Sequence, residues 1–200
     1  MVSLQATSRK YRGRMAAGYE AKRKPQQRWA AENDAVRSML STLPRSARVL
    51  DVPVGTGRFL ETYKSLGFRD VTGVDVSEEM LALAKRKAAA KGCRLEVGSA
   101  VDLRAHGNAS FDAAVCVRFL DLIDEPAMLA AVREISRVTK SYLILTIRLG
   151  DAYVPKSNTA EHDRKKFHRH LGTLGWKTVE VVPIFKAGWV VMLLKRKGAR

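Results

Sequence analysis

Three aspartates stand at regular places along the middle of this 200-residue chain, and their spacing suggests a nucleotide-like ligand. Asp51 opens the run Asp51-Val52-Pro53-Val54-Gly55-Thr56-Gly57. Asp75 closes the stretch Val-Thr-Gly-Val-Asp, and Asp102 follows Gly98-Ser99-Ala100-Val101. Glycine permits close backbone approach at a strand-to-helix turn, where free N–H groups face an anion or carboxylate. An acid about twenty positions beyond such a loop is placed to accept hydrogen bonds from both hydroxyls of a ribose. A carboxylate one strand further on can accept from the exocyclic amine of an adenine. One acid of this kind carries little weight, because strand ends and helix caps often hold aspartate. Three of them ending three successive strands are a much stronger signal. Two common alternatives fail on spacing. A dinucleotide loop needs a third glycine, and a phosphate-binding P-loop needs Gly-Lys-Ser/Thr; neither is here.

The elements that would position these residues alternate. Residues 47–51, 71–75, 94–97, 111–117 and 141–147 read as strands, with the near-continuous apolar runs of a parallel sheet. Between them fall helices at 58–66, closed by Gly67, at 77–91, capped by Ser77 and stopped by Gly92, and at 125–138. An earlier amphipathic helix runs from Pro25 to Leu43 with Trp29, Val36, Met39 and Leu40 on its stripe. A last long helix is expected over 160–174, then two strands at 177–184 and 188–194. The short link between those strands forces them antiparallel. The whole reads as an α/β chain with a doubly wound, mainly parallel sheet and helices on both faces.

The formal net charge of +16 is unevenly spread. Residues 1–46 carry net +7, residues 47–150 net +2 and residues 151–200 net +7. Basic flanks attract polyanions, of which nucleic acid is the commonest. The run His162-Asp163-Arg164-Lys165-Lys166-Phe167-His168-Arg169-His170 reads as a basic helix face, either meeting phosphates or simply solvated. Helical spacing scatters its histidines, which disfavours a metal site. Cys93 and Cys116 lack metal-ligand spacing and suit free thiols in a reducing cytosol. No apolar run is long enough to suggest a membrane span, and no apolar segment follows the basic residues Arg9 to Arg14, as a secretory signal requires. A cytoplasmic location is expected.

The strings VLDVPVGTGRFL, VTGVDVSEEMLALAKRKA, VGSAVDL and FDAAVCVRFLDLID together resemble the class I S-adenosylmethionine (SAM)-dependent methyltransferases, across about residues 47–147. That resemblance implies seven strands in the order 3-2-1-4-5-7-6 with an antiparallel last strand. It implies a basic arm and lid helix at 1–45 and a SAM-binding domain at 46–200. Asp51, Gly55 and Gly57 would line the methionine part of SAM, with Pro53 and Thr56 in the same loop. Asp75 would hold the ribose, Val76 would lie beside the adenine, and Ala100, Val101 and Asp102 would flank it. Arg118 and Phe119 would sit near the methyl donor, and Tyr19, Lys22 and Arg23 would belong to a lid. Pro53 replaces the family's usual first glycine, so the loop is stiffer.

Methyl transfer from a sulfonium is an in-line displacement in which the protein mainly aligns the nucleophile and excludes water. The Val117-Arg118-Phe119-Leu120-Asp121 segment lacks the Asn/Asp-Pro-Pro-aromatic motif of base-amine methylation. Cys116 lacks the Pro-Cys context of cytosine-C5 chemistry. Arg118, Asp121 and His162 are the candidate catalytic residues, with Asp121 or His162 as a base. Asp124 reads as a helix cap ahead of Glu125-Pro126. The expected activity is methyl transfer to an O or N acceptor, on nucleic acid (RNA favoured) held by flanks 1–46 and 151–200. The alternatives are a small-molecule acceptor beneath an N-terminal lid, and a binding protein without turnover.

Overall fold

The computed structural model describes residues 27–155, 159–184 and 188–199. Helix α1 (Gln27–Ser41) buries Val36, Met39 and Leu40, a spacing that puts all three on one face. The chain then enters β1 (Val49–Asp51), α2 (Leu60–Ser65), β2 (Val71–Asp75) and α3 (Glu78–Lys85), where the Ser77 side chain accepts from the Met80 N–H. A 3-10 turn (Ala88–Ala90) leads to β3 (Arg94–Val97) and β4 (Phe111–Cys116). A second 3-10 turn (Leu120–Leu122) precedes α4 (Glu125–Val138), whose cap is Asp124 accepting from the Ala127 N–H at 3.0 Å. Next come β5 (Thr139–Gly150), β6 (Val154–Pro155), β7 (Ala160–Asp163), α5 (Arg164–Thr173), β8 (Trp176–Pro183) and β9 (Trp189–Arg196).

Strands β3, β2, β1, β4 and β5 lie side by side and parallel, in that order. Strand β9 then pairs antiparallel with β5, and β8 antiparallel with β9. This is the expected order once β8 and β9 are counted as the sixth and seventh strands. Alternation along β5 feeds two cores. Leu143, Leu145 and Ile147 pack towards Met128, Val132 and Ile135 of α4 and Phe167 of α5. Ile144 faces the other way, into the layer that holds Val36, Met39 and Leu40 of α1. Helix α1 therefore shares a core with the sheet.

The region expected as one helix over 160–174 differs. Its first four residues form β7, which runs parallel to the end of β5 and antiparallel to β6. Asp163 ends the strand and starts α5 by accepting from the Lys166 N–H at 2.7 Å. A four-residue strand buries only Ala160 and His162, too short an alternation to compete in sequence with the helical pattern after it. The helix expected over 77–91 ends as an α-helix at Lys85 and continues as the short 3-10 turn.

Candidate active site

A cavity of about 320 Å³ opens above the carboxyl ends of β1, β2 and β4. This is where an open α/β sheet places ligands, because the strand order reverses beside β1. The loop after β1 is strung between its neighbours. The Val52 N–H donates to the Val115 carbonyl, and the Val54 N–H to the Val74 carbonyl, both at 2.9 Å. Gly55 and Gly57 take φ of +56° and +73°, a region that costs other residues free energy. A Cβ on Gly57 would crowd the buried Leu60 side chain at the start of α2.

Asp75 ties this loop to β2. Its Oδ2 accepts from the Gly55 N–H at 2.8 Å and its Oδ1 from the Ser77 N–H at 2.9 Å. Burial pushes its carboxyl pKa upward, and those backbone bonds oppose the shift. The residue lines the cavity, where its carboxyl group can meet a ligand hydroxyl. Asp51, at the end of β1, is 2% exposed and also lines it. Burial pushes its carboxyl up to about 8; a hydrogen bond with the Tyr63 hydroxyl opposes the shift, and the neighbouring Asp75 charge adds to it. Asp51 Oδ2 and the Tyr63 hydroxyl beside it are both buried, and each shifts the other's ionisation.

The β4 end is built from side chains. Arg118 sits just past β4 with φ of +57°, and its N–H donates to Thr146 Oγ1 at 2.7 Å. Its guanidinium approaches Glu32 of α1 at 3.4 Å. Glu32 is fully buried and also meets Arg28 at 2.8 Å and Arg58 at 2.7 Å. Arg58 donates further to the Asn33 side chain and the Trp29 carbonyl, and stacks on the Trp29 ring at 3.7 Å. Arg28 lies 3.3 Å from the Trp189 ring centroid and 3.9 Å from Asp121.

Of the residues expected at the site, Asp51, Pro53, Gly55, Thr56, Asp75, Val76, Ala100, Arg118 and Phe119 line one cavity. Gly57 shapes the loop from outside the lining. Val101 and Asp102 lie outside it, and the Asp102 carboxylate, 43% exposed, bonds to Arg104 at 2.7 Å. Tyr19, Lys22 and Arg23 fall outside the described residues. Neither residue expected as a base reaches the cavity lining. His162 is fully buried in β7, where its Nε2–H donates to the Leu120 carbonyl at 2.8 Å and burial lowers its pKa. Asp121 is 2% exposed and faces Arg28. Sequence reasoning missed Met80, Ser99, Arg58, Phe59 and Leu122 as lining residues. Arg58, next to the last loop glycine, was within reach of the pattern; Glu32 carried no local signal.

Residues 49–142 match the model of a methyltransferase domain family. A ubiquinone biosynthesis O-methyltransferase of Paraburkholderia phymatum is 31% identical over 138 residues, covering 61% of this chain and 58% of that one. Other O-methyltransferases of the same name, from Xanthomonas, match over shorter stretches, so the chain spans about a third to three-fifths of these relatives. The fold of a magnesium protoporphyrin IX methyltransferase from Synechocystis, solved with SAM, superposes with a TM-score of 0.70 at 18% identity, covering 84% of this chain and 80% of that one. A 1,6-didemethyltoxoflavin N1-methyltransferase from Burkholderia thailandensis, solved with S-adenosylhomocysteine (SAH), gives 0.70 at 24% identity, over 90% and 84%. The chain therefore shares its fold with these methyltransferases, and residues 49–142 are similar in sequence to a methyltransferase domain.

Proposed function

We propose that this chain is a SAM-dependent methyltransferase acting on an oxygen of a small-molecule acceptor, with SAH as the other product. The observation that carries this reading is the pairing of Asp75 and Asp51 around the glycine loop. The buried Asp51 carboxyl at the end of β1 and a backbone cradle at Gly55 and Gly57 fit the amino-acid end of SAM. Asp75 would hold the ribose hydroxyls, and Val76 and Ala100 would flank the adenine. Bound SAM supplies a methyl group already activated on a sulfonium. The chain's own part is to fix the loop through Asp75, to present Arg118 and Phe119 towards the acceptor, and to keep water out with Phe59, Val117 and Leu122.

The small-molecule reading draws on the O-methyltransferases among its relatives. The RNA preference read from the charge distribution finds no support among them. The basic face of α5 is exposed at Arg164, Lys165 and Arg169, as a plain solvated helix would also be. Radiolabelled SAM supplied with separate small-molecule and RNA fractions of a cell extract tests the reading. Label is expected in an organic-extractable small molecule. Label in RNA, with RNA binding that weakens steeply with salt, would reverse the choice of acceptor.

A further inference from the structure

Resting on the methyltransferase reading above, we propose that Thr146 and His162 are positioning residues, which hold the backbone of residues 117–122 in the shape that makes the β4 wall of the cavity.

That wall is irregular. After Cys116, where β4 ends, the chain forms only the 3-10 turn Leu120–Leu122 before α4 begins at Glu125. Val117, Arg118, Phe119 and Leu122 of this stretch nevertheless line the cavity. A segment outside strand and helix has no ladder of its own, so its backbone groups need partners elsewhere. The pairing of β4 with β5 stops at Cys116 opposite Leu145. Arg118 then turns into the left-handed region at φ of +57°, which costs a residue with a side chain free energy. Its N–H donates to Oγ1 of Thr146, the residue after Leu145, at 2.7 Å. Two positions on, the Leu120 carbonyl accepts from His162 Nε2–H at 2.8 Å. The two bonds grip the backbone on either side of Phe119.

Both anchors are polar groups in apolar surroundings. Thr146 interrupts the run Leu143-Ile144-Leu145-Thr146-Ile147 and shares the α1 side of β5 with Ile144. His162 is an inward residue of the short β7, with the Tyr153 ring 5.7 Å away. Each is fully buried, and neither lines the cavity. Burying a hydroxyl or an imidazole costs free energy that a hydrogen bond offsets, and both of these bonds go to the one segment. A carbonyl only accepts, so the His162 proton sits on Nε2. Its Nδ1 is buried without a hydrogen-bond partner among the described residues.

The anchors also come from one side. Thr146 lies in β5, and β7 pairs with Leu149 and Gly150 at the end of the same strand. The wall thus hangs from β5, whereas the glycine loop is tied to Asp75 of β2. Loss of an anchor should disturb the wall and leave the loop in place.

Amide exchange followed by NMR on the full chain, with calorimetry of SAH binding, tests the inference. In the wild type the Arg118 amide should be protected, and nitrogen shifts should place the His162 proton on Nε2. Thr146→Val keeps the branched shape and removes the acceptor. It should lower protection at Arg118 about tenfold or more, while the Gly55 and Ser77 amides held by Asp75 change by no more than about twofold. His162→Leu should act in the same way on the Leu122 amide, which closes the 3-10 turn onto the Phe119 carbonyl. Each of these variants should weaken SAH binding about threefold or more, because the wall faces the same cavity as the loop. Thr146→Ser and His162→Gln keep the bonding groups and should return both readouts to within about twofold of wild type. An exposed Arg118 amide or a His162 proton on Nδ1 alone in the wild type overturns the inference. So does an equal loss of protection at wall and loop, unchanged SAH affinity in both breaking variants, or no recovery with serine and glutamine. The wild-type readouts decide the matter where a variant fails to fold. Absence of SAH binding by the wild type is a separate result, which sinks the methyltransferase reading and this inference with it.

Discussion

At the β1–β2 end of the cavity a ligand meets backbone, whereas at the β4 end it meets long side chains gathered from distant parts of the chain. The first end is made by Gly55, by the Asp75 carboxylate that fixes the Gly55 N–H, and by the Ser77 cap. The second end hangs on Glu32, which gathers Arg28, Arg58 and Arg118. A backbone cradle is the same for every acceptor, so it suits the common cofactor. A side-chain cluster is free to vary, so it suits the part of the reaction that distinguishes one acceptor from another.

The difference can be broken at several points. Glu32→Ala should have the largest effect, because it leaves guanidinium groups buried without their counter-charge. A stability loss of about 3–5 kcal/mol is expected in urea unfolding, with a smaller loss for Glu32→Gln. A loss near zero would mean that the cluster is not organised by this residue. Gly57→Ala attacks the other end, where φ of +73° strains a non-glycine residue and a Cβ would crowd the Leu60 side chain. It should cost about 1–3 kcal/mol of stability and weaken SAH binding as well. An alanine variant that keeps wild-type stability and affinity would show that the loop is not held as described.

Proton linkage gives a third break. The Asp51 carboxyl is raised in the folded chain to about 8 by burial, so between its ordinary range and pH 8 the folded state holds a proton that the unfolded state has lost. Stability of the ligand-free chain from this group is thus highest at low pH and falls as pH rises through that window. The buried histidine His162 is shifted downward and acts in the opposite sense, chiefly below neutrality. Asp121 and Asp75 are also raised by burial and act in the same sense, so the Asp51 share is the difference between wild type and Asp51→Asn over pH 7 to 8.5. The unfolding free energy from urea titration should fall across that interval, by at most about 1 kcal/mol per pH unit from this group, and Asp51→Asn should flatten the fall. The smallest effect belongs to Asp102→Ala. Its carboxylate engages exposed Arg104, so stability should stay within about 0.5 kcal/mol of wild type. A tenfold loss of SAH affinity in that variant would restore Asp102 as an adenine partner.

The two ends also differ in how much of them the sequence discloses. The glycines, the aspartates ending β1 and β2, and Ser77 are local signals, because each position demands a residue type for a reason contained within a few neighbours. The final hairpin was legible for a similar reason, whereas the sheet order came only from the resemblance. Arg118 and Glu32 lie 86 positions apart, and only the docking of α1 across the strand ends brings them together. No periodicity announces that. His162 was misread for the opposite reason. Its neighbours form a strong helical pattern, and the short pairing with Leu149 at the end of β5 overrides it at the first turn.

Calorimetry of SAH binding to the wild-type chain and to Asp75→Ala tests the central claim most directly. Wild type is expected to bind one SAH, and the variant to lose about 1–3 kcal/mol through the missing charge-assisted hydrogen bonds and the loosened Gly55 N–H. Unchanged affinity in a folded Asp75→Ala variant, or no SAH binding by the wild type, would contradict the account.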